Sequence, residues 1–269
     1  MAALAIALGA AACAPATSDE PVISHGTDAK SYANNARDLL DRARAARAGG
    51  ENENAVRLYR SAITVTPPDG GQQAIRIELG ELLLQMRQTN DAYLIVTQAI
   101  DAATDDATRV RGYVVLGHIL QRLNRYAESV VMYEKALALG PRDARALVGR
   151  GVALDRSGLH EQAQASYLDA LQIEPENVSA LNNLALSYAF AGNFGKAVEI
   201  LHPMATAPGA TPQLRQNLAL VYGLMGNPEL AASISRRDLD EATVRANLRF
   251  YEMLRRMPNP AEALAGASG

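Results

Sequence analysis

The chain has no tryptophan, three phenylalanines, one cysteine, four histidines and three lysines among 269 residues. Each scarcity excludes something. With Cys13 alone, neither an internal disulfide nor a zinc site built on two or four cysteines can form. With aromatics at 5%, there is no platform on which nucleic-acid bases would stack. Charge of neither sign dominates: 26 basic residues against 29 acidic ones leave −3, and the isoelectric point is about 5.9. That balance carries no electrostatic footprint for nucleic acid. His25, His118, His160 and His202 are never three or four residues apart, so no metal pair is formed on a helix. No glycine-rich phosphate loop follows a strand, and no G-x-S-x-G elbow presents a serine. The expectation is a protein without catalytic site, metal or cofactor.

The longest uninterrupted run of small and apolar residues begins the sequence, Met1 to Ala12. It has the length of a signal-peptide core and is too short to span a bilayer, which takes roughly 20 residues. Cys13 follows it, and a small-polar stretch follows Cys13. This order resembles a bacterial lipoprotein signal. The resemblance implies that residues 1–13 form the signal and lipidation segment, with a diacylglyceryl thioether on the Cys13 sulfur. Residues 14–30 would then be a flexible tether. Several acyl chains would hold the protein stably at the periplasmic face of the outer membrane, because a single chain binds only marginally. Ala12-Cys13-Ala14 also fits an A-x-A site; ordinary cleavage after Ala14 would release a soluble periplasmic protein, leaving Cys13 unmodified. Both of these routes export the chain; a terminus left uncleaved would keep it in the cytoplasm.

The remainder repeats itself. Gly117, Leu120, Tyr133, Ala136 and Pro141 recur as Gly151, Leu154, Tyr167, Ala170 and Pro175, each shifted by 34 residues. The same register continues through Ala185 and Ala219, and backwards to Gly80 and Ala43. The small residue thus falls at 43, 80, 117, 151, 185 and 219, with spacings of 37, 37, 34, 34 and 34. A fixed period of this length marks a solenoid of supersecondary units.

The pattern resembles the tetratricopeptide repeat (TPR). The resemblance implies an all-α fold: a right-handed superhelical solenoid of about six helix hairpins over residues 31–237. Helix A of each hairpin carries the small residue at position 8, and helix B a second one at position 20, such as Ala92, Ala163, Ala197 and Ala231. Tyr133 and Tyr167 at position 24 would fill the space between repeats. Gly158, Gly192 and Gly226 suit a left-handed turn between the two helices. Pro67, Pro141 and Pro175 suit the end of helix B. Beyond the array, Asp240 reads as the cap of a helix over 240–257, whose stripe of Val244, Leu248, Tyr251 and Leu254 would cover the last repeat. Residues 258–269 read as a mobile tail.

In this family, positions 2, 5, 9 and 12 of helix A line a concave groove that receives protein or peptide partners. The candidate groove residues are therefore Arg111, Val114, His118, Arg145, Val148, Val152, Asn182, Leu186, Gln216 and Leu220. Such a lining suits an amphipathic helix or an extended peptide. The valines and leucines equally suit packing against the next helix A. Asn183 and Asn217, at position 6, read as structural polar residues.

The stretch Arg215 to Gly226, then Ser235 to Asp240 and Ala246 to Tyr251, is similar to the C-terminal half of the TadD family of TPR lipoproteins, part of the Tad (Flp) pilus-assembly apparatus. That resemblance implies a non-enzymatic scaffold at the outer membrane that helps a secretin or other pilus-assembly components to localise. A general periplasmic adaptor of another envelope complex has the same physics. If Cys13 carries the lipid, Cys13→Ser leaves folding unchanged and moves the protein from the membrane fraction to the soluble one; fractionation followed by immunoblotting reads the difference.

Overall fold

The computed structural model describes residues 25–68 and 71–257. Residues 1–13, with Cys13, lie outside the described residues, as do most of the expected tether and the tail 258–269. The described chain is helical throughout, as six hairpins and one further helix. The hairpins pair α1 (His25–Ala48) with α2 (Asn52–Val65), and α3 (Gln72–Gln85) with α4 (Thr89–Asp101). They continue with α5 (Asp106–Arg122) and α6 (Tyr126–Leu139), and with α7 (Ala144–Arg156) and α8 (His160–Ile173). The last two are α9 (Val178–Phe190) with α10 (Phe194–Thr206), and α11 (Pro212–Leu224) with α12 (Pro228–Ser235). Helix α13 (Glu241–Arg255) follows. Helix α1 begins at His25, inside the stretch 14–30 expected to be a tether. From there on the sequence is rich in alanine and arginine and free of proline up to Pro67, a composition that favours helix.

Each joint is dictated locally. Helix A ends in a left-handed residue at Gly50, Arg87, Asn124, Gly158, Gly192 or Gly226. These positions repeat the 37, 37, 34, 34, 34 spacing of the small residues. Each time, the amide of the next residue donates back to a carbonyl five residues earlier, as Arg125 N to Leu120 O and Leu159 N to Leu154 O, both 2.9 Å. This closes the helix end. Arginine and asparagine hold the left-handed conformation at 87 and 124 without the freedom that glycine has. At the opposite ends, Asp105, Asp143, Asn177 and Thr211 cap the A helices α5, α7, α9 and α11 through their side-chain oxygens. Asp240 does the same for α13.

Packing follows the repeat. Position 8 is a notch on helix A that receives the position-24 side chain of helix B. A Cβ on Gly117 would stand 2.6 Å from the Tyr133 ring, one on Gly151 2.4 Å from Tyr167, and one on Gly80 2.2 Å from Val96. The Tyr133 ring also lies against Gly149 of α7, where a Cβ would meet it at 2.4 Å. It is therefore held between two successive A helices. Position 20 is filled by Ala55, Ala92, Ser129, Ala163, Ala197 and Ala231, all fully buried. Ser129 also donates its hydroxyl to Gly117 O at 2.9 Å. Where Leu201 and Ser235 stand at position 24, the notch carries the larger Ala185 and Ala219. The first hairpin combines Ala43 with Tyr59, whose hydroxyl donates to Glu78 of α3.

The A helices α3, α5, α7, α9 and α11 touch one another in succession, and the B helices pack on the A helices to either side. The result is an inner ring of A helices and an outer ring of B helices. Helix α13 closes the array: Tyr251 sits where a Cβ on Gly223 would fall, and Val244 and Leu254 are buried with it.

Gly151→Ala is expected to cost about 1–3 kcal/mol, because the added methyl enters the Tyr167 ring and one of them must move. Gly195→Ala, in open space on α10, is the control and should stabilise by about 0.5–1 kcal/mol. Urea unfolding of the two variants beside the parent measures both.

Candidate functional site

The inner ring is closed in one half and open in the other. In the N-terminal half, arginines and glutamates from α1, α3 and α5 interlock. Glu78 is 6% exposed and accepts from Arg44 at 2.7 and 3.0 Å, from Arg111 at 3.3 Å and from the Tyr59 hydroxyl at 3.2 Å. Glu81 accepts from Arg111 at 3.1 Å and from Arg47 at 3.4 Å. Burial alone would raise the Glu78 carboxyl, but the Arg44 and Arg111 guanidiniums outweigh it and hold the group below its ordinary value. Three guanidiniums and two carboxylates thus fill the space between these helices. Next to them His118 stands edge-on to the Tyr133 ring, at 5.7 Å between centroids. Burial pushes its imidazole below the ordinary range, so it is neutral near pH 7.

In the C-terminal half a cavity of about 320 Å³ opens between the A helices α7, α9 and α11. Its apolar lining is Val152, Leu186, Leu220 and Phe190. Its polar lining is largely amide. Asn217 Nδ2 donates to Asn182 Oδ1 at 2.7 Å, and Asn182 Nδ2 lies 3.3 Å from Asn183 Oδ1, so a short amide ladder crosses from α9 to α11. Gln213 lies at the rim. On the α7 side stand Asp155 and Arg156, which leave the cavity with no formal net charge.

Asp155 of α7 is held from two neighbouring helices, α8 and α9. Its Oδ1 accepts from Ser187 Oγ of α9 at 2.7 Å and lies 2.8 Å from His160 Nδ1 of α8. Its Oδ2 accepts from the Tyr167 hydroxyl at 2.9 Å. Burial, and then the Asp155 charge, push the Tyr167 phenol far up, so it remains a donor at physiological pH. With its lone pairs engaged, Asp155 serves mainly to fix the cavity wall. What remains free for a ligand is an apolar floor beside amides that both donate and accept.

Residues 114–177 match the family model described as "Tetratricopeptide repeat". The chain is a tetratricopeptide repeat protein. The match covers the third and fourth hairpins of this TPR array, and the register described above extends it to all six. "Uncharacterized protein y4yS" of Sinorhizobium fredii is 31% identical over 132 residues, covering 41% of this TPR chain and 72% of that protein. The chain spans only 8–12% of the length of the first curated relatives it matches, which are much longer plant and animal proteins. Among solved structures, a tetratricopeptide repeat protein from Parabacteroides merdae superposes with a TM-score of 0.66 at 16% identity, over 87% of this chain and 92% of that one. PilW, described as a widely conserved type IV pilus biogenesis factor, superposes with a TM-score of 0.65 at 21% identity, over 80% and 94%. At these identities the superpositions speak for the TPR fold.

The ten residues expected to line the TPR groove separate into groups. Val152, Asn182, Leu186 and Leu220 meet at the cavity. Arg111 is bound into the ion lattice, and Val114 is 3% exposed and packs in the core beside Tyr133. His118 is packed on Tyr133. Val148 is half-buried between the fourth and fifth hairpins. Arg145 is exposed and pairs with Asp143, the residue that caps its helix. Gln216 turns to Ser235 and Asp238. The cavity also draws in Asn183, Asn217, Asp155, Arg156, Tyr167, Phe190 and Gln213. Asn183 and Asn217 were legible as one register position 34 residues apart; their meeting through Asn182 was not.

Because the Glu78 carboxyl is depressed in the folded state, its contribution to stability is present above the unfolded value of about 4.3 and lost as the pH falls through the folded value. Glu78→Gln should lower stability by about 1–3 kcal/mol at neutral pH and flatten the loss of stability in acid. Urea midpoints of both proteins between neutral pH and the acid limb give the comparison.

Proposed function

We propose that the cavity between α7, α9 and α11 is a docking site for an extended segment of a partner protein, and that the chain is a non-enzymatic scaffold. The observation that carries this is the amide ladder Asn183–Asn182–Asn217 beside Val152, Leu186, Leu220 and Phe190. Backbone amides of an extended strand need partners that donate and accept without charge, and primary amides supply both. The apolar floor takes alternate side chains of such a strand. The closed ion lattice directs binding to the C-terminal three hairpins.

The partner class follows from features outside the cavity. The apolar run ending at Cys13 supports export and lipid anchoring at the periplasmic face of the outer membrane. The resemblance of Arg215 to Gly226, Ser235 to Asp240 and Ala246 to Tyr251 to TadD supports a place in Tad (Flp) pilus assembly, with a secretin or another assembly component as partner. The fold shared with PilW, a pilus biogenesis factor, agrees with that placement. A periplasmic adaptor of another secretion complex is the second reading, favoured by the cavity's lack of net charge, which selects no particular partner charge.

Leu186→Asp combined with Asn217→Ala should reduce co-purification of the secretin and other pilus-assembly components from envelope extracts at least about tenfold, since both an apolar contact and an amide partner are lost. The helical circular dichroism should be unchanged. Equal recovery with parent and variant would move the site elsewhere on the array.

A further inference from the structure

A second cleft lies on the outer ring. Helices α2 and α4 both pack on α3, and between them a cleft of about 430 Å³ is open. Leu79 and Leu83 of α3 are buried at its floor, and Ile63, Leu94 and Ile95 line its walls. Leu94 is 59% exposed, the highest value of any large hydrophobic side chain among the described residues. Arg60, Arg76 and Asp91 supply its charge, two guanidiniums against one carboxylate.

The repeat itself indicates what is missing here. Arg76 stands four residues before Gly80, the notch residue of its A helix. The same register position holds Leu39, Tyr113, Leu147 and Leu181 in four other hairpins and Arg215 in the last. Arg215 is fully engaged: it clamps Asp238 through two nitrogens and donates to Ala210 O. Asp238 lies 19 residues after the notch residue Ala219, beyond the short α12; the same count from Gly80 falls on Ala99, inside the longer α4, so no carboxylate stands at that count in the second hairpin. Thus the last hairpin carries the arginine and its carboxylate, and the second carries the arginine alone. Among the described residues Arg76 makes no side-chain hydrogen bond, and its Nε is buried without a partner. A buried donor with no acceptor, two guanidiniums and an exposed leucine therefore share one cleft.

We propose that the α2–α4 cleft binds an amphipathic helix of another protein, whose apolar stripe covers Leu94 and Ile95 and whose aspartate or glutamate pairs with Arg76. A helix is the fitting shape because the cleft is bounded by two helices and floored by a third, the setting in which side-chain ridges of a fourth interdigitate. An acidic flank is the fitting charge because the carboxylate that Arg215 receives from its own chain is absent beside Arg76. This surface lies on the outer ring, so it is independent of the inner cavity.

The test uses two fluorescein-labelled 18-residue peptides with leucines at i, i+3, i+4 and i+7. Their flanks carry glutamate in one peptide and lysine in the other. Fluorescence anisotropy gives affinity, and amide chemical shifts give the location. The glutamate peptide should bind the full chain at least about tenfold more tightly than the lysine peptide. The chain's overall charge of −3 works against that preference, so a preference for glutamate has a local origin. Arg76→Leu, which installs the residue of the fourth and fifth hairpins, should bring the two peptides to within about twofold. Leu94→Asp should weaken both. If Arg76→Leu does not fold, Arg60→Gln must reduce the same preference. The proposal is overturned by equal affinity for the two peptides, by no binding of either, or by shifts at Leu186 and Leu220 in place of Leu94 and Ile95.

Discussion

One side chain of each outer helix resting in a notch of its inner helix sets the spacing of this molecule. Without a Cβ at Gly80, Gly117 or Gly151, the backbone of helix A lets Val96, Tyr133 or Tyr167 reach through it. Tyr133 shows why the notch matters beyond its own hairpin, since the same ring rests on Gly149 of the next A helix. Intra-hairpin and inter-hairpin packing are thus fixed by a single aromatic residue. Interiors packed at crystal-like density tolerate little change in volume, and the array repeats that constraint at every layer.

The two halves of the inner ring put the same scaffold to different uses. Charged side chains at Arg44, Arg47, Glu78, Glu81 and Arg111 cross-link α1, α3 and α5, so the ligand-facing positions of the family serve cohesion there. Uncharged amides and aliphatic residues occupy the equivalent surface of α9 and α11, so that space stays open. The same register position can be mortar or binding surface according to whether the next repeat offers a complementary charge.

Much of the fold was legible before any coordinate. The small residues at 43, 80, 117, 151, 185 and 219 gave the hairpins, and Gly158, Gly192 and Gly226 gave their corners. The turn at Arg87 was not legible as left-handed, because arginine carries no such signal, and at Asn124 asparagine carries a weaker one than glycine; the 37-residue spacing points to both. The groove was legible as a surface but not as a site. Positions 2, 5, 9 and 12 name a face, while the partners of Arg111, the burial of Val114 and the bond from Asn217 to Asn182 depend on which side chain stands opposite in the next repeat. Cross-repeat pairing is a property of two positions 30 to 35 residues apart, as Arg111 with Glu81 and Asn217 with Asn182 show. A single-repeat consensus does not contain it.

The closing helix has a consequence for assembly. An array built by stacking identical layers presents at each end a surface made to receive another layer, and head-to-tail contacts of that kind do not close into a ring unless the rotation happens to permit it. Helix α13 occupies the terminal layer site with Val244, Tyr251 and Leu254 and turns Arg245 and Arg249 outward. Its apolar face covers the last hairpin and its exposed side carries paired charges, Glu252 with Arg255 and Arg256, so the stacking surface of the last hairpin is not bare to receive another layer.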